Sequence, residues 1–266
     1  NIGGRKGRVD AYASVNHDRT DGDRENSKFH ITNGFANAGL RLSEHFRFRA
    51  DISVAGYVAE NPGMITKPMF DNTVDVLRGM TSASLENEFR HLNGALAFFY
   101  NWGDHNINDG YTTGGKPLDY RYRSRDNAYG LLFYQIVRPW QGNMVTLGFD
   151  YKSYGGKAWN RFLNHAPDKI MVDTSSYDLG GYAIMQQNLF KDRLTLNAGG
   201  RLEHNKSYGN KWIPQIGLAI RPTENFVIKS SFSKGFRNPT IREMFMWAPA
   251  NPNLKPEEMT NYEVVL

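Results

Sequence analysis

Alternation with a period of two governs this chain. From Leu194 it reads Leu-Thr-Leu-Asn-Ala-Gly-Gly-Arg-Leu-Glu, so that Leu194, Leu196, Ala198, Gly200 and Leu202 share one face and Thr195, Asn197, Arg201 and Glu203 the other. Successive side chains of a strand point to opposite sides, so this is a strand with one apolar and one polar face. The pattern recurs. Phe46, Phe48, Ala50, Ile52 and Val54 are set against Arg47, Arg49, Asp51 and Ser53. Leu96, Phe98 and Tyr100 are set against Ala95, Ala97 and Asn101, and Val145, Leu147, Phe149 and Tyr151 against Thr146, Gly148, Asp150 and Lys152. Phe226, Ile228 and Phe232 alternate with Val227, Lys229, Ser231 and Ser233. Read this way, the chain holds about twelve strands, at roughly twice the 8–12-residue turn spacing of a soluble sandwich. They fall near 7–18, 28–42, 46–58, 73–89, 92–102, 121–138, 143–154, 175–190, 194–205, 212–221, 226–236 and 260–266.

The connections alternate too. Long ones fall near 19–27, 59–72, 103–120, 155–174, 206–211 and 237–259, with short turns between them. Antiparallel neighbours reverse direction, so every short turn lies at one end and every long loop at the other, which is the asymmetry of a transmembrane β-barrel. The mean hydropathy of −0.58 and the 40% hydrophobic content fit a lipid-facing band around a wet lumen. No apolar run approaches the ~18 residues of a membrane helix. Aromatics such as Phe46, Tyr100, Trp102, Tyr122, Trp140, Tyr151, Phe190, Trp212 and Phe226 stand near strand ends, as interfacial girdles would put them. Aromatic residues also favour strands for their own sake. The absence of cysteine excludes disulfides and thiolate metal sites, and the net charge of +5 is interspersed without the basic stripe of a nucleic-acid partner.

Two stretches carry a resemblance. Ser231–Phe245 contains Gly235-Phe236-Arg237-Asn238-Pro239-Thr240-Ile241-Arg242-Glu243, and residues 251–263 read Asn251-Pro252-Asn253-Leu254-Lys255-Pro256-Glu257-Glu258-Met259-Thr260-Asn261-Tyr262-Glu263. In order and spacing they resemble the "Gly-Phe-Arg-x-Pro-Thr/Ser-x-x-Glu" and "Asn-Pro-x-Leu-Lys-Pro-Glu-x-x-x-x-Tyr-Glu" boxes of TonB-dependent outer-membrane receptors. The matched positions are Gly235, Phe236, Arg237, Pro239, Glu243, Asn251, Pro252, Leu254, Lys255, Pro256, Glu257, Tyr262 and Glu263. The resemblance implies an all-β, antiparallel transmembrane β-barrel, of whose 22 strands this chain supplies about twelve. It also implies a plug domain, absent here, through which the TonB complex is engaged. On that reading residues 1–266 are an internal piece of the barrel. The implied setting is the outer membrane of a Gram-negative bacterium, with outer-membrane lipid around the barrel and an extracellular nutrient as ligand. Ferric siderophores or cobalamin lead. An oligosaccharide importer, a passive porin and a barrel enzyme are the alternatives. No cofactor is implied.

Loop lengths set direction, so depth can be assigned. Polar-face residues near the long-loop end, with aromatics and methionine on the loops, are the expected ligand contacts: Tyr57, Asn101, Tyr111, Lys152, Tyr154, Trp159, Phe162, Arg201, Glu203, Arg237, Met246 and Trp247. Trp159 and Trp247 would serve a sugar ligand by stacking. Arg47, Arg49, Asp51, Asp150 and Lys229 are expected deeper, facing the plug. Asp104–Gly110 faintly resembles a calcium loop, but its glycine is one position late and no bidentate glutamate follows, so no metal site is assigned. Haem-importing members of the family carry a histidine between the two boxes; residues 240–250 contain none, which disfavours a haem receptor and leaves His105 and His165, on long loops, as candidate axial ligands.

Overall fold

The computed structural model describes residues 1–246 and 249–266, and across them the chain is one antiparallel sheet in which strands follow one another in chain order. The first four are β1 (Ile2–Lys6), β2 (Val9–Thr20), β3 (Phe29–Arg41) and β4 (Phe46–Glu60). A two-residue strand, β5 (Gly63–Met64), pairs only with the start of β6 (Lys67–Glu88). Then come β7 (Leu92–Thr112), β8 (Tyr120–Val137), β9 (Asn143–Phe162) and β10 (Lys169–Leu189). The series closes with β11 (Leu194–Asn205), β12 (Gly209–Thr223), β13 (Phe226–Arg237), the short helix α1 (Ile241–Phe245) and β14 (Glu257–Val265).

All twelve expected strands are present. β1 and β5 were not expected: Ile-Gly-Gly-Arg-Lys shows no apolar alternation, and a two-residue strand has none to show. The long loops are shorter than expected, because β6, β7, β9 and β10 run to 20–22 residues. The connection expected at 103–120 shrinks to 113–119 and that at 155–174 to 163–168, while β14 starts three residues before its expected position. Alternation ends where the membrane ends, but the hydrogen-bonded ladder continues into water with polar residues on both faces, and periodicity cannot see it. Asp104–Gly110 is therefore strand and not a calcium loop.

Register joins the apolar sets into one surface. Leu85 stands opposite Leu96, Leu96 opposite Phe133 and Phe133 opposite Phe149, and each is about two-fifths exposed. A contiguous exposed face of this kind suits lipid. It is the convex one. On the other face, Ile241 and Met246, which follow β13, pack against Tyr122 of β8, Ala158 of β9 and Val172 of β10. A segment leaving β13 reaches β8 only if the sheet curls towards that side.

Two aromatic belts edge the convex band. At the short-turn end Phe46 packs on Phe89 (ring centroids 5.6 Å apart), with Trp140 and Phe190 exposed nearby. The other belt runs Tyr129–Tyr151–Tyr177–His204 at centroid spacings of 6.4, 6.2 and 6.1 Å. Tyr122 is not part of it; register puts that ring on the concave side, 8% exposed. Leu147 faces outward between the belts and Thr146 inward. In the full-length protein, Leu147→Arg should cost about 2–4 kcal/mol of folding stability and Thr146→Arg far less. The retained band on unheated gels measures this.

Candidate functional site

The two family boxes meet through one arginine. Asn238-Pro239 ends β13, because proline lacks a backbone donor and restricts the residue before it. Thr240 then caps α1: its hydroxyl accepts from the Glu243 amide at 3.2 Å, while the Glu243 carboxylate accepts from the Thr240 amide at 2.8 Å. This reciprocal capping box explains the Thr-x-x-Glu spacing. Arg237 donates to Glu243 at 3.1 Å and to Glu257, in the second box and first in β14, at 3.0 Å. The Thr240 amide and hydroxyl, then Arg237, hold the Glu243 carboxyl below the usual carboxylate range. Arg237 was expected to touch ligand; its fork is instead occupied in this clasp.

The clasp holds α1 across the concave face, and between them lies a cavity of about 800 Å³ at the long-loop end. One side is apolar, formed by Tyr122, Ala158, Val172, Ile241 and Met246. The other is polar. Lys152 pairs with Asp178 at 3.2 Å and lies over the Tyr154 ring at 4.9 Å. Asp178, 7% exposed, also accepts from the Asn205 amide at 2.6 Å. The side-chain oxygen of Asn238, which also lines the cavity, is buried without a donor among the described residues.

Below this floor Arg201 is forked onto Asp150 (2.5 and 2.8 Å) and reaches Glu203 at 2.8 Å. Gly180 makes the fork possible, since a side chain there would meet the guanidinium. A side group across β6, β7 and β8 joins Arg78 to Asp126 at 2.8 Å and sets His105 between Arg78 and the Ser124 hydroxyl. Guanidinium only donates, so the His105 Nε2 facing it is the acceptor.

Of the expected contacts, the cavity brings together Lys152, Tyr154, Glu203 and Met246. Arg201 and Asp150 were assigned different depths, yet they are hydrogen-bonded at one level, so Arg201 lies deeper than expected. Tyr57 packs towards Phe29 on another part of the wall, and Asn101 points inward on β7, its oxygen buried without a partner among the described residues. Tyr111 and Phe162 pair with Phe70 and Tyr120 at the rim. Trp159 is 7% exposed and register turns it to the convex side, so it offers no stacking platform. Trp247 lies outside the described residues. Among the residues expected to face the plug, Arg47 pairs with Asp10 and Asp51 accepts from Ser82. Arg49 and Lys229 have no side-chain partner among the described residues. Sequence reasoning missed Asp178, Asn205 and Asp126, whose signal was strand parity: Asp178 shares its face with Lys152 once register is known.

A family model described as TonB dependent receptor-like, beta-barrel, matches residues 11–266. The iron-regulated outer membrane virulence protein of Vibrio cholerae is 25% identical over 199 residues, covering 70% of this chain and 29% of that protein. The vitamin B12 transporter BtuB of Photobacterium profundum is 36% identical over 66 residues, covering 25% of this chain and 11% of that protein. Among solved structures, the copper transporter OprC superposes with a TM-score of 0.76 at 13% identity, over 96% of this chain and 46% of that one. The siderophore receptor PirA from Pseudomonas aeruginosa gives 0.71 at 13% identity, over 98% and 47%. At such identities the likeness is one of fold. The chain spans under a third of these curated relatives and under half of these solved structures.

If the clasp holds the segment 238–246, the strap that lays α1 over the cavity, Arg237→Gln or Glu243→Gln in the full-length protein should speed proteolytic cleavage within it several-fold while leaving the barrel band on unheated gels intact. Acid should act in the same direction. A lowered carboxyl pKa contributes stability above the unfolded value and loses it as pH falls through the folded one. Strap cleavage by an acid-active protease should therefore hold steady from neutrality down to about pH 5 and rise below about pH 4. Glu243→Gln should flatten that rise.

Proposed function

The chain belongs to the TonB-dependent receptor β-barrel family, and from that premise we propose that it forms the wall and part of the ligand-binding mouth of a receptor importing a scarce nutrient. As a member of the family it lies in the outer membrane of a Gram-negative cell, and it is a transport protein and not an enzyme. Energy reaches the intact receptor from the TonB complex through a plug domain that occupies the lumen. Arg49 and Lys229, which point inward near the short-turn end and have no side-chain partner among the described residues, are the wall's contribution to that contact.

The observation that carries the reading is the cavity between strap and wall, open towards the long-loop end. Its mixed lining suits a bulky chelate with apolar surface and hydrogen-bonding edges. Ferric siderophores and cobalamin are the favoured ligands. The name of the Photobacterium profundum relative speaks for cobalamin, and that of the Vibrio cholerae relative, iron-regulated, is consistent with an iron chelate. Sugar uptake loses one of its two proposed platforms with Trp159 buried.

The test is titration of the full-length receptor with ferric siderophores and with cyanocobalamin. One class should bind, and growth on it should require TonB. Tyr154→Ala should weaken binding about 5- to 100-fold, the range of a well-packed aromatic anchor. Failure of both classes to bind, with uptake independent of TonB, would overturn the reading.

A further inference from the structure

The charges around the cavity are already balanced within the chain. Asp126 of β8 accepts both arms of the Arg78 guanidinium, at 2.8 and 3.2 Å. Asp178 pairs with Lys152 at 3.2 Å, and Glu203 with Arg201 at 2.8 Å. Arg201 is shared further with Asp150, and Lys211, opposite Glu203, is held by Glu258. Arg242 of α1 also lines the cavity; it acts electrostatically on Tyr122, and so do Asp109 and Asp126. Arg125 and Lys157 border the cavity through their strands, but alternation turns their side chains to the convex side, where they pair with Asp104 and Asp173. Among the described residues of this group on the concave side, six carboxylates therefore stand against five cations.

An anion entering this cavity meets no surplus of positive charge. To gain a partner it has to draw Lys152 away from Asp178, which is only 7% exposed and would be left buried without its cation. Removing one partner of a buried pair is strongly destabilising, and like charges brought together in a binding site are what rejects a wrong ligand. A neutral ligand leaves every pair intact. It can lay apolar surface on Tyr122, Ala158, Val172, Ile241 and Met246. Its polar edge meets uncharged groups, because the Ser124 hydroxyl and the Asn238 amide also line the cavity and the Asn238 oxygen has no donor among the described residues.

We infer that the cavity selects electrically neutral metal chelates and rejects polyanionic ones. Three hydroxamates cancel the charge of a bound ferric ion, whereas three catecholates leave the complex with three negative charges. Cyanocobalamin is neutral as a whole, its phosphodiester balanced by the cobalt centre. The inference rests on the receptor reading given above and narrows its ligand by charge.

The test titrates the full-length receptor with three probes: a ferric trihydroxamate, a ferric tricatecholate and cyanocobalamin. The better of the two neutral ligands should bind at least about tenfold more tightly than the tricatecholate. Asp126→Asn leaves Arg78 without its carboxylate, and should narrow that ratio several-fold by strengthening the hold on the tricatecholate. A tricatecholate bound as tightly as the better neutral ligand, or a ratio that Asp126→Asn does not move, would overturn the inference and leave the receptor reading standing. Absence of binding by all three probes would remove the receptor reading, and this inference with it. Should the variant fail to assemble, the wild-type comparison decides alone.

Discussion

A backbone in hydrocarbon has no water to bond to, so every amide and carbonyl must find a partner in the chain itself. Everything else in this molecule follows from that requirement. An antiparallel ladder meets it, and a ladder divides each strand's side chains between two faces. One face has lipid as its solvent and becomes Leu85, Leu96, Phe133 and Phe149; the other faces a wet lumen and collects Asp150, Lys152, Asp178 and Arg201. Because the sheet curls, the polar face is concave, and a short segment leaving β13 can cross it. The site is thus a product of the membrane constraint and not a feature added to it.

The strap is held by charge at one end and by packing at the other. Arg237, Glu243 and Glu257 tie the two boxes where β13 and β14 emerge, and Ile241 and Met246 rest on the far wall. This gives the boxes a physical meaning. Their residues pair with one another to position a segment over the lumen, so the box arginine is a positioning residue for the cavity. On the proposed reading, the groups left to meet a ligand are those of the wall opposite, chiefly Lys152 and Tyr154, and the apolar side of α1.

Much of the fold was legible because alternation is a direct imprint of the two solvents. All twelve strands that cross the band carry it. The parts that were illegible are those where only one solvent acts. Beyond the Tyr129–Tyr151 belt both faces are wet, so residues 103–112 read as loop although they are paired strand. The site was half legible. Parity along β9 identified Lys152 and Tyr154 from sequence, but parity also turns Trp159 outward. Partnerships such as Asp150 with Arg201, or Asp178 with Asn205, depend on register between strands, which turns and long connections set and which no single strand reveals.

The account stands or falls on the division of faces. These 266 residues contain no cysteine, so once the full-length parent shows no labelling a single cysteine introduced here reports on its own position. In the full-length receptor in whole cells, cysteines at Leu131 and Phe133 should react with a lipid-soluble maleimide and resist a water-soluble one. Cysteines at Ala128 and Leu132 should react with the water-soluble reagent once it reaches the lumen. Alternating labelling along β8 is the predicted result; equal reaction of neighbouring positions with the water-soluble reagent would contradict it.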